Sequence, residues 1–163
     1  MPLSNNIRAR QHAQPLRSTP HYKSIFPTVE FLIDRIELKL QARRLKRSGD
    51  RDKLFEAAKI YDGLKKYRDA FECYEQAAQK GHLQACYELV LCYDFPKGCT
   101  QDLHKALSLC LDLAKKGHVE AMERVGMYFE HGIGTYKDTE LAHYWFNEAA
   151  QRGNKLAQRK LKR

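Results

Sequence analysis

The sequence predicts an all-α solenoid built of stacked helical hairpins, and three observations lead to this fold class. Glycines recur at intervals of 32, 36 and 36 residues, at Gly49, Gly81, Gly117 and Gly153. Between these glycines, apolar residues are spaced as on one face of an α-helix, in two successive segments. A unit of this length cannot bury its own apolar face, so neighbouring units must stack on one another.

The N-terminal part of the chain is predicted to hold an arm and one helix. Residues 1–26 are polar and basic with three prolines and little periodicity, which predicts a disordered basic arm. Residues 27–49 are predicted to form a helix that Thr28 can cap and that Gly49 ends. We expect this helix to pack on the first repeat through one apolar stripe, formed by Val29, Leu32, Ile33, Ile36 and Leu40.

Three repeats and a partial one are predicted to follow. The first repeat, residues 51–82, is the shortest, and the second and third span residues 83–118 and 119–154. Residues 155–163 begin a fourth unit and are predicted to act as a half-repeat cap. Asp138 is a predicted helix cap in the third repeat. Small residues are expected to let paired helices approach closely, and large aromatic ones to fill the space between pairs. The small residues are Gly126, Ala142 and Ala149, and the aromatic ones are Phe129, Trp145 and Phe146.

Charge is unevenly distributed along the chain, whose formal net charge is +9. Residues 1–49 carry ten Lys/Arg against three Asp/Glu, and residues 155–163 carry five against none. Residues 50–154 carry fourteen against seventeen, so the repeats are slightly acidic. The basic ends would permit nucleic-acid binding through counterion release, but no nucleic-acid motif accompanies them.

The five cysteines are odd in number and contain no C-x-x-C spacing. They indicate reduced thiols in a cytoplasmic protein rather than a disulfide framework. The N-terminal residues have no apolar core of the kind found in a secretory signal, and no stretch is long and apolar enough to span a membrane. We therefore expect a cytoplasmic location and no membrane partner.

The third repeat carries the strongest family resemblance. Its small and aromatic residues and its loop glycines recur at characteristic spacing: Ala121, Val125, Gly126, Phe129, Gly132, Gly134, Asp138, Ala142, Trp145, Phe146, Ala149, Ala150 and Gly153. This pattern, which the second repeat shares in part, resembles the Sel-one-like repeat family, a relative of the tetratricopeptide repeat. The first repeat lacks the long loop and resembles a plain tetratricopeptide unit, so the resemblance covers roughly residues 51–160. It implies a right-handed superhelix of helical pairs that serves as an adaptor or scaffold without catalysis.

The resemblance also implies where a partner would bind, because the first helix of each pair lines the concave groove in tetratricopeptide-like arrays. An apolar strip with carboxylates beside it would suit a short, basic peptide. We expect Tyr87, Leu91 and Met127 to act as its anchors, and Glu120, Glu123 and Glu130 to select basic residues. The alternative is that these polar residues form the solvated face of ordinary amphipathic helices. The predicted partner-binding residues are Phe55, Lys59, Tyr87, Leu91, Asp94, Glu120, Glu123, Met127, Glu130 and His131, and Asp52, Asp62 and Gln84 share their face.

The groove has a second candidate occupant, and the histidines are candidate metal ligands. The basic arm, with Arg8, Arg10 and Arg17, is a second candidate occupant of the acidic groove. His82 and His118 each follow a turn glycine, so their position indicates helix entry rather than metal binding. We find no zinc spacing and no catalytic constellation, and therefore predict no enzyme activity, no cofactor and no metal.

Overall fold

The computed structural model describes the backbone of residues 27–162 and the side chains of residues 31–162. The predicted disordered arm, residues 1–26, and its docking into a groove lie outside these residues. Within the described part of the chain there are eight helices and no strand. They are α1 (Pro27–Ser48), α2 (Arg51–Gly63), α3 (Tyr67–Gln79), α4 (Leu83–Asp94), α5 (Leu103–Lys115), α6 (Val119–His131), α7 (Thr139–Gln151) and α8 (Lys155–Lys160).

The described residues fall into two units, one up to Leu38 and one from Lys39 onward. In the second unit, each helix from α2 to α7 packs on the helix that follows it in the chain. This arrangement of consecutive hairpins is a helical solenoid, as the apolar periodicity predicts. None of the helices described is long and apolar enough to cross a membrane.

The predicted apolar stripe of the N-terminal helix is largely exposed. In the first unit, Leu32 and Ile36 are each 54% exposed, and in the second unit Leu40 is 46% exposed. The part of α1 that enters the core lies one turn further on, at Ala42 and Leu45. The helical spacing of residues 29–40 thus correctly predicted a helix, and the packing of its apolar stripe on the first repeat stays a prediction.

Side-chain caps define where most of the helices begin. The carboxylate of Asp138 accepts a hydrogen bond from the backbone N–H of Leu141 at 2.9 Å, which confirms the predicted cap. His82 and His118 cap α4 and α6, which confirms that these histidines mark helix entry. Each of these caps satisfies a backbone donor that the first turn of a helix leaves free.

Close helix packing depends on small residues, as expected. Ala142 and Ala149 are buried, and so is the ring of Phe146. A Cβ added at Gly126 in α6 would lie 2.7 Å from the ring of Phe146 in α7. Because real side chains do not approach so closely, glycine is needed here to let α6 and α7 pack. Trp145 is only partly buried and lies against Tyr144.

Loop glycines hold successive repeats in register. Gly98 and Gly134 have φ values of 80° and 63°, in the left-handed region that favours glycine. A Cβ added at Gly98 would lie 2.1 Å from the carbonyl oxygen of Tyr67, and one at Gly134 would lie 2.3 Å from that of Leu103. Each of these loops therefore touches the start of the second helix of the preceding repeat.

The cysteines are free thiols that pack in the core or beside it. Cys73, Cys92 and Cys110 are buried, and Cys86 and Cys99 are half-buried. Burial raises the pKa of Cys73 to about 11 and the pKa values of Cys92 and Cys110 to about 12. These three thiols stay protonated near neutral pH, in which form they are poor nucleophiles.

Candidate interaction surface

The predicted partner-binding residues lie on α2, α4 and α6, the first helices of the three hairpins. We call the surface that these side chains form the first-helix face. Three of the ten are exposed, six are half-buried and one is buried. The exposed ones are Lys59, Glu120 and His131, the half-buried ones are Phe55, Tyr87, Leu91, Glu123, Met127 and Glu130, and the buried one is Asp94.

Asp94 is not available as an exposed selector of a basic peptide. Its side chain is buried, and its carboxylate accepts hydrogen bonds from the Tyr128 hydroxyl at 2.6 Å and from Arg124 Nη1 at 2.8 Å. Burial and the hydrogen bond to Asp94 raise the pKa of Tyr128, so the hydroxyl remains a donor. The predicted role of Asp94 is therefore corrected to a structural ion pair between α4 and α6.

The aromatic residues of the face are partly used in the junctions between repeats. Phe55 stacks on His82 with ring centroids 4.3 Å apart, and Tyr87 stacks on His118 at 4.9 Å. The hydroxyl of Tyr87 also accepts a hydrogen bond from Arg124 Nε at 3.3 Å. These contacts explain why both aromatic rings are only half-exposed.

The predicted acidic selectors also have partners within the protein. Glu123 accepts a hydrogen bond from Asn154 Nδ2 at 2.8 Å, and Glu130 accepts one from Lys160 Nζ at 2.6 Å. The bond from Lys160 lowers the pKa of Glu130. The Glu120 carboxylate lies 3.3 Å from His118 Nδ1. Of these three carboxylates only Glu130 is balanced by a cation, whereas Glu123 is held by a neutral amide and Glu120 is exposed.

Two adjoining pockets lie on the first-helix face; the larger is mainly apolar, and the smaller also has charged side chains in its lining. One has a volume of about 520 Å³ and is lined by residues that include Met127 and His131. The other, of about 300 Å³, is lined by residues that include Leu91. Phe95 and Arg124 line both. We call this surface the Phe95 groove, defined by Leu91, Phe95, Arg124, Met127 and His131.

The structure thus brings together only some of the predicted residues. Leu91, Met127 and His131 line the Phe95 groove, whereas Phe55, Lys59 and Glu120 line neither of its pockets. Sequence reasoning missed Phe95, which is 61% exposed. The available signal was an aromatic residue between the last residue of a helix and Pro96, where no periodicity requires an apolar side chain.

Arg124 gives this groove its polar character. A guanidinium has five N–H donors. Nε donates to Tyr87 and Nη1 to Asp94, and the described part of the chain supplies no acceptor for the remaining donors. Because Asp94 balances the charge, Arg124 offers hydrogen bonds to the groove with little net charge.

Metal binding finds no support in the described residues. Between residues 31 and 162, no group of three or more His, Cys, Asp or Glu side chains is placed to hold an ion. His82 and His118 accept hydrogen bonds from the backbone N–H groups of Ala85 and Ala121 through Nδ1. These histidines therefore have a structural role as caps.

An array of helical hairpins with an exposed first-helix face is the architecture of a helical-repeat interaction scaffold. The sequence profile of the Sel1 repeat matches residues 57–82, 83–118 and 119–154, with one repeat in each segment. The chain belongs to the Sel1 repeat family. Proteins of this family are generally non-catalytic scaffolds for protein interactions, and no catalytic family is indicated.

Two relatives from Saccharomyces cerevisiae match parts of the repeat region. Protein SHC1 is 34% identical over 71 residues, which are 44% of this chain and 14% of SHC1. The chitin synthase regulator SKT5 is 30% identical over 93 residues, which are 55% of this chain and 13% of SKT5. The chain therefore spans only a small part of the length of these relatives.

A solved structure supports the fold. The crystal structure of a Sel1 repeat protein from Oxalobacter formigenes is similar to this chain with a TM-score of 0.64 and 27% sequence identity. The similarity covers 74% of this chain and 51% of that one. It confirms the prediction of an all-α hairpin-repeat solenoid.

Proposed function

We propose that this protein is a non-catalytic scaffold that binds a protein or peptide partner on its first-helix face, with the Phe95 groove as the anchoring site. The observation that carries the proposal is the exposure of Phe95 at the junction of two pockets, of which the larger is mainly apolar. Exposed aromatic residues beside pockets are typical anchors of protein interfaces. Membership of the Sel1 family and the likeness to SKT5, a regulator of an enzyme, support a protein partner.

The chemistry of the groove favours an extended segment with an apolar side chain. Phe95 and Met127 supply apolar walls, and the spare N–H donors of Arg124 suit main-chain carbonyl oxygens. An extended segment keeps those carbonyls free, whereas the interior of a helix uses them internally. Glu120, Glu123 and Glu130 remain proposed selectors of basic residues, in a secondary role because Glu123 and Glu130 already accept hydrogen bonds within the protein.

A single groove of this size is expected to bind with a Kd on the order of 1 μM, about −8 kcal/mol. The five free thiols fit a reducing, cytoplasmic setting for this interaction. Attraction between charges is expected to be weak, so moderate salt should reduce affinity little.

The test is capture of a partner from native lysate, with and without nuclease and at low and moderate salt, followed by calorimetry with the identified partner. Phe95→Ala and Met127→Ala are expected to weaken binding at least tenfold, because anchors in apolar pockets dominate interface energies. Tyr136→Ala is the matched control, since Tyr136 is 93% exposed and lines neither pocket of the Phe95 groove.

Two results would contradict the proposal. Equal binding by wild type and Phe95→Ala would remove the groove as the site. Recovery of nucleic acid in place of protein, with retention that fades as salt rises, would instead assign function to the basic ends of the chain.

A further inference from the structure

The junctions between successive repeats use one side chain for two tasks. His82 Nδ1 accepts a hydrogen bond from the backbone N–H of Ala85 at 3.1 Å, and His118 Nδ1 accepts one from Ala121 at 3.3 Å. Each capping ring also stacks on an aromatic side chain of the preceding first helix, Phe55 or Tyr87. The cap of each helix is therefore also the contact that joins it to the repeat before.

The equivalent junction at the start of α8 uses a different residue. Asn154 Oδ1 accepts a hydrogen bond from the backbone N–H of Ala157 at 2.9 Å. Its Nδ2 donates to Glu123. Glu123 is the third-repeat equivalent of Phe55 in the first repeat and Tyr87 in the second. The chain thus contains the same junction in two chemical forms, one with imidazole and one with a carboxamide.

The two forms respond differently to protons. A neutral imidazole has one acceptor nitrogen, and a protonated imidazole has none, because both nitrogens then carry hydrogen. The nitrogen used for capping is the acceptor. Histidine changes charge between about pH 8 and pH 5, whereas the amide of asparagine does not titrate there.

We propose that His82 and His118 make the first turns of α4 and α6 sensitive to acidification, whereas the Asn154 junction is insensitive. Protonation of either imidazole removes the acceptor for one backbone N–H and frays the first turn of the helix that it caps. The ring can remain stacked on its aromatic neighbour, since a cation over an aromatic face is attracted to it. The loss is therefore confined to the cap, and the repeats stay joined.

The charged groups around the two histidines make their responses unequal. At His82, Asp52 on α2 lies 3.7 Å from Nε2, the nitrogen that does not cap. Lys59 lies over the Phe55 ring, and Lys80 precedes His82 in the turn after α3. Because Asp52 faces the wrong nitrogen, it cannot replace the lost hydrogen bond, and the first turn of α4 should respond fully.

At His118 the nearest carboxylate faces the capping nitrogen itself. Glu120 on α6 lies 3.3 Å from Nδ1 and can accept a hydrogen bond from it once it is protonated. Arg124 lies over the Tyr87 ring, and Lys116 follows α5 two residues before His118. The new bond to Glu120 compensates for part of the lost cap, so α6 should respond less than α4.

The test uses amide hydrogen exchange by NMR on the full chain at pH 7.5 and pH 5.5. Protection factors, which remove the intrinsic pH dependence of exchange, are compared for Ala85, Ala121 and Ala157, while ring nitrogen signals report protonation of each histidine. Loss of a cap corresponds to about a fivefold fall in protection. We expect this fall at Ala85, a smaller one at Ala121 and none at Ala157.

Two variants exchange the two forms of the junction. His82→Asn places at α4 the residue that already caps α8, and should make Ala85 protection independent of pH while the fold is kept. Asn154→His should transfer the pH dependence to Ala157. Equal falls at Ala85 in wild type and His82→Asn, or a fall at Ala157 in the wild type, would overturn the proposal, because neither requires an imidazole cap.

Discussion

Replacement of Gly98 by alanine is expected to destabilise the repeat array by about 2–5 kcal/mol. Two effects add. A left-handed backbone costs a residue with a Cβ about 1–2 kcal/mol, and Gly98 has a φ of 80°. The new Cβ would also lie 2.1 Å from the carbonyl oxygen of Tyr67, and overpacking of this kind costs about 1–3 kcal/mol. The clash involves backbone, so no side-chain rotation relieves it.

Two other glycines separate these effects. Gly117 has a φ of 93°, and nothing lies within 4 Å of an added Cβ, so Gly117→Ala should show only the backbone cost of about 1–2 kcal/mol. Gly63 lies at the end of α2 without a left-handed φ and with no atom within 4 Å of an added Cβ. Gly63→Ala should therefore be neutral or stabilise by about 0.4–1 kcal/mol.

Urea unfolding followed by circular dichroism measures the three free energies of unfolding. We expect Gly63→Ala to be the most stable variant, Gly117→Ala to be less stable and Gly98→Ala to be the least stable. For a domain with a free energy of unfolding of about 5–15 kcal/mol, the Gly98 change should shift the midpoint clearly. The reasoning is refuted if Gly98→Ala is no less stable than Gly117→Ala, because contact with the preceding repeat would then contribute nothing.

Three further changes test other contacts, all by urea unfolding. Gly126→Ala should destabilise the protein by about 0–2 kcal/mol. Overpacking against the Phe146 ring outweighs the roughly 1 kcal/mol by which alanine is favoured over glycine in a helix. Clear stabilisation would contradict the close packing of α6 on α7. Asp94→Asn should cost about 2–3 kcal/mol by leaving the neighbouring guanidinium without a counter-charge, and an unchanged midpoint would show the ion pair to be dispensable. The hydrogen bond from Lys160 lowers the pKa of Glu130 in the folded protein. The pair therefore stabilises the fold at pH values above the pKa that Glu130 has in the unfolded chain. This stabilisation is lost as the pH falls through the pKa of Glu130 in the folded protein. Because both side chains are about a third exposed, Lys160→Gln should lower the free energy of unfolding by less than about 1 kcal/mol at pH 7 and leave it unchanged at pH 2. A loss of stability that persists at pH 2 would indicate another cause.

The fold could be predicted because its determinants are local in the sequence. Helical spacing and turn glycines define the hairpins, and the cap at Asp138 depends on a backbone group three residues away. The same locality explains the predicted entry positions of His82 and His118. None of these inferences required knowledge of which distant residues meet.

The interaction surface was harder to predict because its details depend on contacts between repeats. Projection around one helix placed Asp94 on the solvent side, but Arg124 and Tyr128 from the next first helix cover it. The exposure of Phe95 likewise depends on how the loop after α4 meets α6. Leu91 and Met127 could be predicted as part of the surface because each lies on the apolar strip that the face of its own helix shows.

Packing of each helix on the next one in the chain has a consequence for how the protein folds. Contacts made in chain order close only short loops, so the relative contact order is low. Helical domains of low contact order reach the native state in microseconds to milliseconds. In such a one-dimensional array, structure can begin at any hairpin and spread to its neighbours.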